Sequence, residues 1–276
     1  MTTNFDWSGR VGDVWAEEWQ RTDRSLAGLA RRLDAAIPAV APHEGSAIDI
    51  GCGAGGTAIA LATARPALTV TGIDLSPSLI DIARERAAGL PNLAFRVADA
   101  QGLGGADADL LVSRHGVMFF DDPVAGFSAL RAAVAPGAKL VFSCFRGRAA
   151  NEWAVVIDAA VGNEVAAPAG YVPGPFALAD EDFTRDLLAR SGWVNAAAEA
   201  IDFPYVAGEG EDPVEDALGF FSHIGPAARA MADAPADRRA AMRESLRAAL
   251  AARAGDKMVA FGAAAWIWTA TAGEAP

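Results

Sequence analysis

"AIDIGCGAGGTAIALA", residues 47–62, decides how the rest of the chain is read. An apolar run carrying one acid, Asp49, feeds glycines at 51, 53, 55 and 56, and a helix-like stretch follows. Strand, glycine loop and helix together let backbone N–H groups come close to a nucleotide-like ligand. Gly51-Cys52-Gly53-Ala54-Gly55-Gly56 fits G-x-G-x-x-G, the loop that holds a dinucleotide pyrophosphate, and equally G-x-G-x-G after an acid-bearing strand.

Outward from this loop the same cycle repeats. "LTVTGI" (68–73) alternates like a buried strand and ends at Asp74; Ser76-Pro77 then supplies a helix cap and first-turn proline. "NLAFRV" predicts a strand ending near Asp99, and "ADLLVS" a continuous apolar strand leading to Arg114 and His115. Asp122-Pro123 caps a helix stopped by Pro136-Gly137, and "AKLVFSCF" is a further strand. Such alternation from 46 to 145 predicts a parallel sheet with helices on both faces, binding its ligand at the carboxyl ends of the strands. Before it, residues 10–36 read as one amphipathic helix ended by Pro38 and Pro42, with Trp15 and Trp19 on a shared face. After it, a helix from about Asp180, a strand at 194–203, two or three helices within 209–258 and a strand at 262–272 are expected.

Composition narrows the partners. A chain of 276 residues with 52% hydrophobic content supports one large core with appended segments. The formal charge of -12 disfavours nucleic acid, whose binding depends on lysine and arginine. It suits a cationic or neutral small ligand. No apolar stretch reaches the ~20 residues of a membrane span, no basic-apolar leader opens the chain, and no basic amphipathic helix offers stable membrane anchoring. Two cysteines and three histidines without ligand spacing predict no metal site and fit a reducing cytoplasm. The extra helices could pair two copies across a two-fold axis.

The acids choose between the two ligand readings. Asp74, 19 residues beyond Gly55, would take ribose hydroxyls in either case. A carboxylate just before the glycines would repel a pyrophosphate, and no arginine or lysine between 44 and 64 offsets Asp49. A ligand carrying an ammonium and a sulfonium would be favoured there. Asp99 can accept from an adenine amine while the Ala100 amide donates to the ring. Three acids on consecutive strands suit a cationic adenosine, S-adenosylmethionine. The competing readings are an NAD(P)-dependent oxidoreductase, which leaves Asp49 and Asp99 unexplained, and a non-catalytic protein that binds S-adenosylmethionine.

"DIGCGAGG", "GIDLSPSLIDIAR", "FRVADAQGL" and "LVSRHGVMFFDDPVAGFSALRAAVAPGAKLVFSCF" resemble the successive motifs of class I S-adenosylmethionine-dependent methyltransferases, in particular the bacterial group around the ubiquinone/menaquinone biosynthesis enzymes. The resemblance implies an α/β, Rossmann-like seven-stranded sheet, mostly parallel with the last strand antiparallel. Residues 1–276 would form one domain, with a core of 45–145, 194–203 and 262–272 and lid segments at 1–36 and 209–258. It further implies that Gly51 and Gly53, flanking Cys52, approach the methionine part and Asp74 the ribose. Leu75 would pack on the adenine, Asp99 and Ala100 with Gln101 would read its edge, and the Ser113 backbone would face the amino group. His115 stands where that group more often has phenylalanine.

Methyl transfer is an in-line displacement, in which alignment can supply roughly 7–11 kcal/mol of the barrier. A base is needed only where the acceptor must lose a proton. His115, just past the fourth strand, and His223, in "ALGFFSHIGPAARAM", are the candidates, against the plainer readings of a cavity-lining and an exposed histidine. Trp15 could cover the cofactor's methionine end. Arg114, Arg146 and Arg148 could hold an anionic group, or serve as surface residues. Trp153, Tyr171, Phe176, Tyr205, Phe220 and Phe221 fall in the roofing segments and suggest an apolar or aromatic acceptor.

Overall fold

The computed structural model describes residues 7–105, 107–165 and 170–274; the first six residues of the expected N-terminal lid lie outside these. Seven strands, β1 (Gly45–Ile50), β2 (Leu68–Asp74), β3 (Leu93–Val97), β4 (Ala108–Arg114), β5 (Val134–Phe145), β6 (Trp193–Glu209) and β7 (Met258–Ala272), form one sheet in the order β3-β2-β1-β4-β5-β7-β6. β1 runs parallel to β2 and β4, and β7 is antiparallel to both β5 and β6. The expected sheet is therefore observed, including its single reversed strand. The chain builds outward from β1 to β3 and then returns to β4, so the carboxyl ends of β1 and β4 face an open crevice where the winding reverses.

Local chemistry explains the elements. In β1, Ala47 through Ile50 are buried without alternation, as in strands covered on both faces. Helix α4 (Gly56–Ala64) follows the loop and packs small residues on the sheet, Ala58 and Ala62 among them. Ser76 Oγ accepts from the Leu79 amide to start α5 (Pro77–Arg86), Asp122 accepts from the Ala125 amide to start α6 (Pro123–Ala132), and Asp180 from that of Phe183 to start α8 (Glu181–Arg190). α7 (Glu152–Val161), not expected from the sequence, packs on β7.

Two boundaries differ from expectation. The helix read at 10–36 is three, α1 (Arg10–Glu17), α2 (Trp19–Ser25) and α3 (Ala27–Val40), broken at Glu18 and Leu26. The breaks let the chain turn over the sheet edge: α1 meets α5, α2 meets β6, and α3 meets α4. Pro38 lies inside α3 rather than ending it, and Ala41, extended before Pro42, marks the end. α6 stops at Ala132, so Pro136-Gly137 falls within β5. The segment 209–258 folds into α9 (Pro213–His223), α10 (Pro226–Ala232) and α11 (Ala236–Ala251), with α9 packed on β6.

Candidate active site

The loop after β1 passes through three glycines with positive φ: Gly51 at 62°, Gly53 at 53° and Gly55 at 82°. At Gly55 a Cβ would stand 2.7 Å from Phe95 Cζ, so both conformation and space call for glycine. Asp74 fastens the loop: one carboxylate oxygen accepts from the Gly53 amide and the other from the Ser76 amide, both at 2.9 Å. Burial pushes the Asp74 pKa up, against the pull of these N–H groups. Asp99 accepts from the Gln101 amide at 2.9 Å and starts the short turn Ala100–Gly102.

Above this loop lies a cavity of about 240 Å³. Trp15, Asp49, Gly51, Cys52 and Gly53 line it, as do Asp74, Leu75, Asp99, Ala100 and Gln101. Ser113 does not. Its buried hydroxyl donates to the Ile50 carbonyl at 2.8 Å and accepts from the Gly116 amide at 3.1 Å, joining the ends of β1 and β4.

Asp49 is fully buried, lines the cavity, and has no hydrogen-bond partner on either carboxylate oxygen. Desolvation pushes its pKa up to about 7, opposed by Arg114 and by the nearby Ala58 amide and reinforced by Asp74 and Asp34. Arg114 is the counter-charge that the local sequence lacked. Its Nη2 meets Asp23 at 2.5 Å, and Arg86 Nη2 meets the other Asp23 oxygen at 2.9 Å. The Arg86 guanidinium also lies 4.1 Å from the Trp19 ring centre and donates to the Ala54 carbonyl. Asp23 and Arg86 thus bind α2 to the glycine loop. Neither residue was singled out from the sequence, and nothing in their local surroundings marks them. Thr22, also missed, lines the cavity with its Oγ1 buried and unpartnered.

The far wall is aromatic. His115 lies edge-on to Phe145 at 4.3 Å; Phe145 meets Trp153 at 5.4 Å, which stacks on Tyr205 at 5.1 Å. Phe220 and Phe221 complete this end. Tyr171 and Phe176 stand outside the lining; the Tyr171 hydroxyl donates to the Phe120 carbonyl. His115 is buried, and its pKa falls to about 3 through desolvation and then the nearby Arg114 charge. Such a ring stays neutral near pH 7 and is a poor proton acceptor, which argues against its expected role as a general base. His223 is not brought to the cavity: its side chain is 57% exposed and its Nδ1 lies 2.8 Å from Glu18 Oε1, bridging the two roofing segments. Arg146 and Arg148 also lie outside the lining, Arg146 paired with Asp202 and Arg148 with Asp158. Among the described residues, no group of three or more histidines, cysteines or acids could hold a metal ion.

Sheet order, glycine loop and acid-lined crevice define a class I, S-adenosylmethionine-dependent methyltransferase fold. Residues 47–137 match the family model described as "Methyltransferase domain". The chain is 36% identical over 112 residues to trans-aconitate 2-methyltransferase of Methylobacterium radiotolerans, covering 40% of this chain and 41% of that protein. It is 36% identical over 106 residues to the enzyme of the same name from Deinococcus radiodurans, covering 38% and 39%. The aligned region is thus about two-fifths of the length of these relatives. Among solved structures, phosphoethanolamine N-methyltransferase 2 of Haemonchus contortus, in complex with S-adenosylhomocysteine, aligns at a TM-score of 0.58 and 15% identity, over 99% of this chain and 61% of that one. The chain carries a methyltransferase domain of the class whose methyl donor is S-adenosylmethionine. These matches bear out the class and lend no support to the ubiquinone/menaquinone branch.

Proposed function

We propose that the protein is an enzyme that moves a methyl group from S-adenosylmethionine to a small or medium-sized, mainly apolar acceptor by in-line displacement. The observation that carries this is the unpartnered carboxylate of Asp49 in the cavity wall. An orphaned buried acid costs stability unless a ligand donates to it, and the ammonium of an amino-acid-bearing cofactor is such a donor. The remaining lining fits the same group. Asp74 has lone pairs left for sugar hydroxyls, Leu75 and Ala100 supply apolar contact for a base, and Asp99 with Gln101 can read its edge. Trp15 would cover the sulfonium end. Bound there, S-adenosylmethionine supplies an electrophilic methyl group; the protein's own part is to align the acceptor and exclude water.

The aromatic wall supports an apolar acceptor, since the polar groups at that end are few. Segments 7–36 and 209–258 would act as lids that admit and then enclose both ligands. Titration calorimetry tests the reading directly. S-adenosylhomocysteine should bind and NAD should not; the reverse result would favour the oxidoreductase. Incubation with methyl-labelled cofactor and small-molecule extracts should then yield a labelled product, whereas cofactor binding without any turnover would favour a non-catalytic binder.

A further inference from the structure

His115 is the polar group at the aromatic end whose placement the cofactor does not explain, and any role for it in catalysis rests on the methyltransferase reading. The ring lines the cavity, is 6% exposed, and has Nδ1 2.9 Å from Ser143 Oγ. The serine hydroxyl has one proton to place and the imidazole nitrogen is the acceptor within reach, so Nδ1 accepts and Nε2 carries the hydrogen. Nε2 is buried with no hydrogen-bond partner. The backbone holds the residue at φ 63°, a left-handed conformation that collects where a side chain must be aimed.

An N–H aimed into an apolar cavity selects for an acceptor atom. A neutral amine nucleophile has one lone pair, and a hydrogen bond would occupy the pair needed for attack. A carboxylate oxygen can accept with one pair and attack with another. A hydroxyl would first have to lose its proton, and burial leaves the titratable groups of this wall unfit to take it: His115 is neutral, and the Tyr205 pKa is pushed up to about 12. Asp23 is committed to Arg86 and Arg114, and Asp74 to the Gly53 and Ser76 amides.

We propose that His115 is a specificity-determining donor whose Nε2–H holds one carboxylate of a flat, apolar acid seated among Phe145, Trp153 and Tyr205, and that this carboxylate is the methyl acceptor. A carboxylate lone pair forms the new O–C bond while the C–S bond to the methyl breaks, its electron pair staying on sulfur as a neutral thioether. The carboxylate and sulfonium charges cancel in the ester and thioether, and no proton is released.

The test uses the full chain. Calorimetry first measures S-adenosylhomocysteine on the wild type; failure to bind would defeat the methyltransferase reading itself, independently of the acceptor. Benzoate, trans-cinnamate and indole-3-acetate are then titrated in its presence beside the matching alcohols, and each is incubated with S-adenosylmethionine for mass spectrometry. At least one acid should bind and yield a methyl ester, with no ether from its alcohol. His115→Phe should weaken that acid at least tenfold while changing S-adenosylhomocysteine affinity less than threefold. Should that variant not fold, Ser143→Ala carries the test, with a threefold or greater loss expected. Binding of none of the acids, equal methylation of an alcohol, or unchanged acid affinity in the folded variant would overturn the assignment.

Discussion

Asp49 shows how one residue's burial becomes a pH dependence. Desolvation outweighs Arg114 and raises its pKa from 3.8 to about 7. An ammonium ligand needs the ionised form, so S-adenosylhomocysteine affinity should fall about tenfold per pH unit below about 7. Calorimetry in buffers of different ionisation enthalpy should show a proton released on binding at pH 6, and Asp49→Asn should flatten the profile. The stability sign is opposite. Because the folded value lies above the unfolded one, this group's contribution is fully present below about pH 4 and is lost as pH rises through about 7. Ligand-free Asp49→Asn should accordingly melt higher than wild type at pH 8. The glycines give a second residue-scale expectation. Gly53, with open space around a Cβ, should cost about 1 kcal/mol as alanine; Gly55, facing Phe95 and Ala83, should cost roughly 2–4 kcal/mol. Urea denaturation separates the two.

At the scale of elements, the N-terminal helices are held to the core chiefly by charge and aromatic contact. Asp23 joins Arg86 and Arg114, while Arg21 and Arg24 reach Asp216 on α9. These side chains are partly buried, so their pairing is less screened than at an open surface. A double-mutant cycle on Asp23→Ala and Arg86→Ala should give a coupling of about 0.5–3 kcal/mol by urea denaturation. Cofactor affinity should fall in either single variant, because α2 would no longer be tied to the loop. Element types were legible where a short-range signal exists: Ser76-Pro77, Asp122-Pro123 and Asp180 announced their helices because a cap acts within three residues. The break at Glu18 carried no such signal. It places Trp15 and Trp19 in separate helices that bend around one cavity.

For the whole molecule, the site sits at the reversal of the sheet, with its base on β1, β2 and β4 and its roof from α1, α2, α9 and the approach to α10. A roof made of sequence-distant segments must part for ligands to enter a cavity it covers. Hydrogen exchange should therefore slow in residues 10–25 and 213–232 when S-adenosylhomocysteine and an acceptor acid are both present, with little change in β1 and β4. Unchanged exchange in those segments would remove the lid role. Among the described residues no helix is long and apolar enough to cross a membrane.

The sequence by itself determined the strand-and-helix alternation, the glycine loop and the acids that accompany it. Each is written in neighbouring residues through periodicity, permitted φ and capping chemistry. It also marked His115 as unusual, but not what the ring does. Tertiary structure decided that Asp49 has Arg114 as its counter-charge, that Ser113 and His223 lie outside the cavity lining, and that Ser143 fixes the His115 ring. It also brought Asp23 against Arg114, 91 residues away. Those relations depend on which strand returns beside which, and on how much water is excluded around a charge. Neither quantity is carried by residues adjacent in the chain.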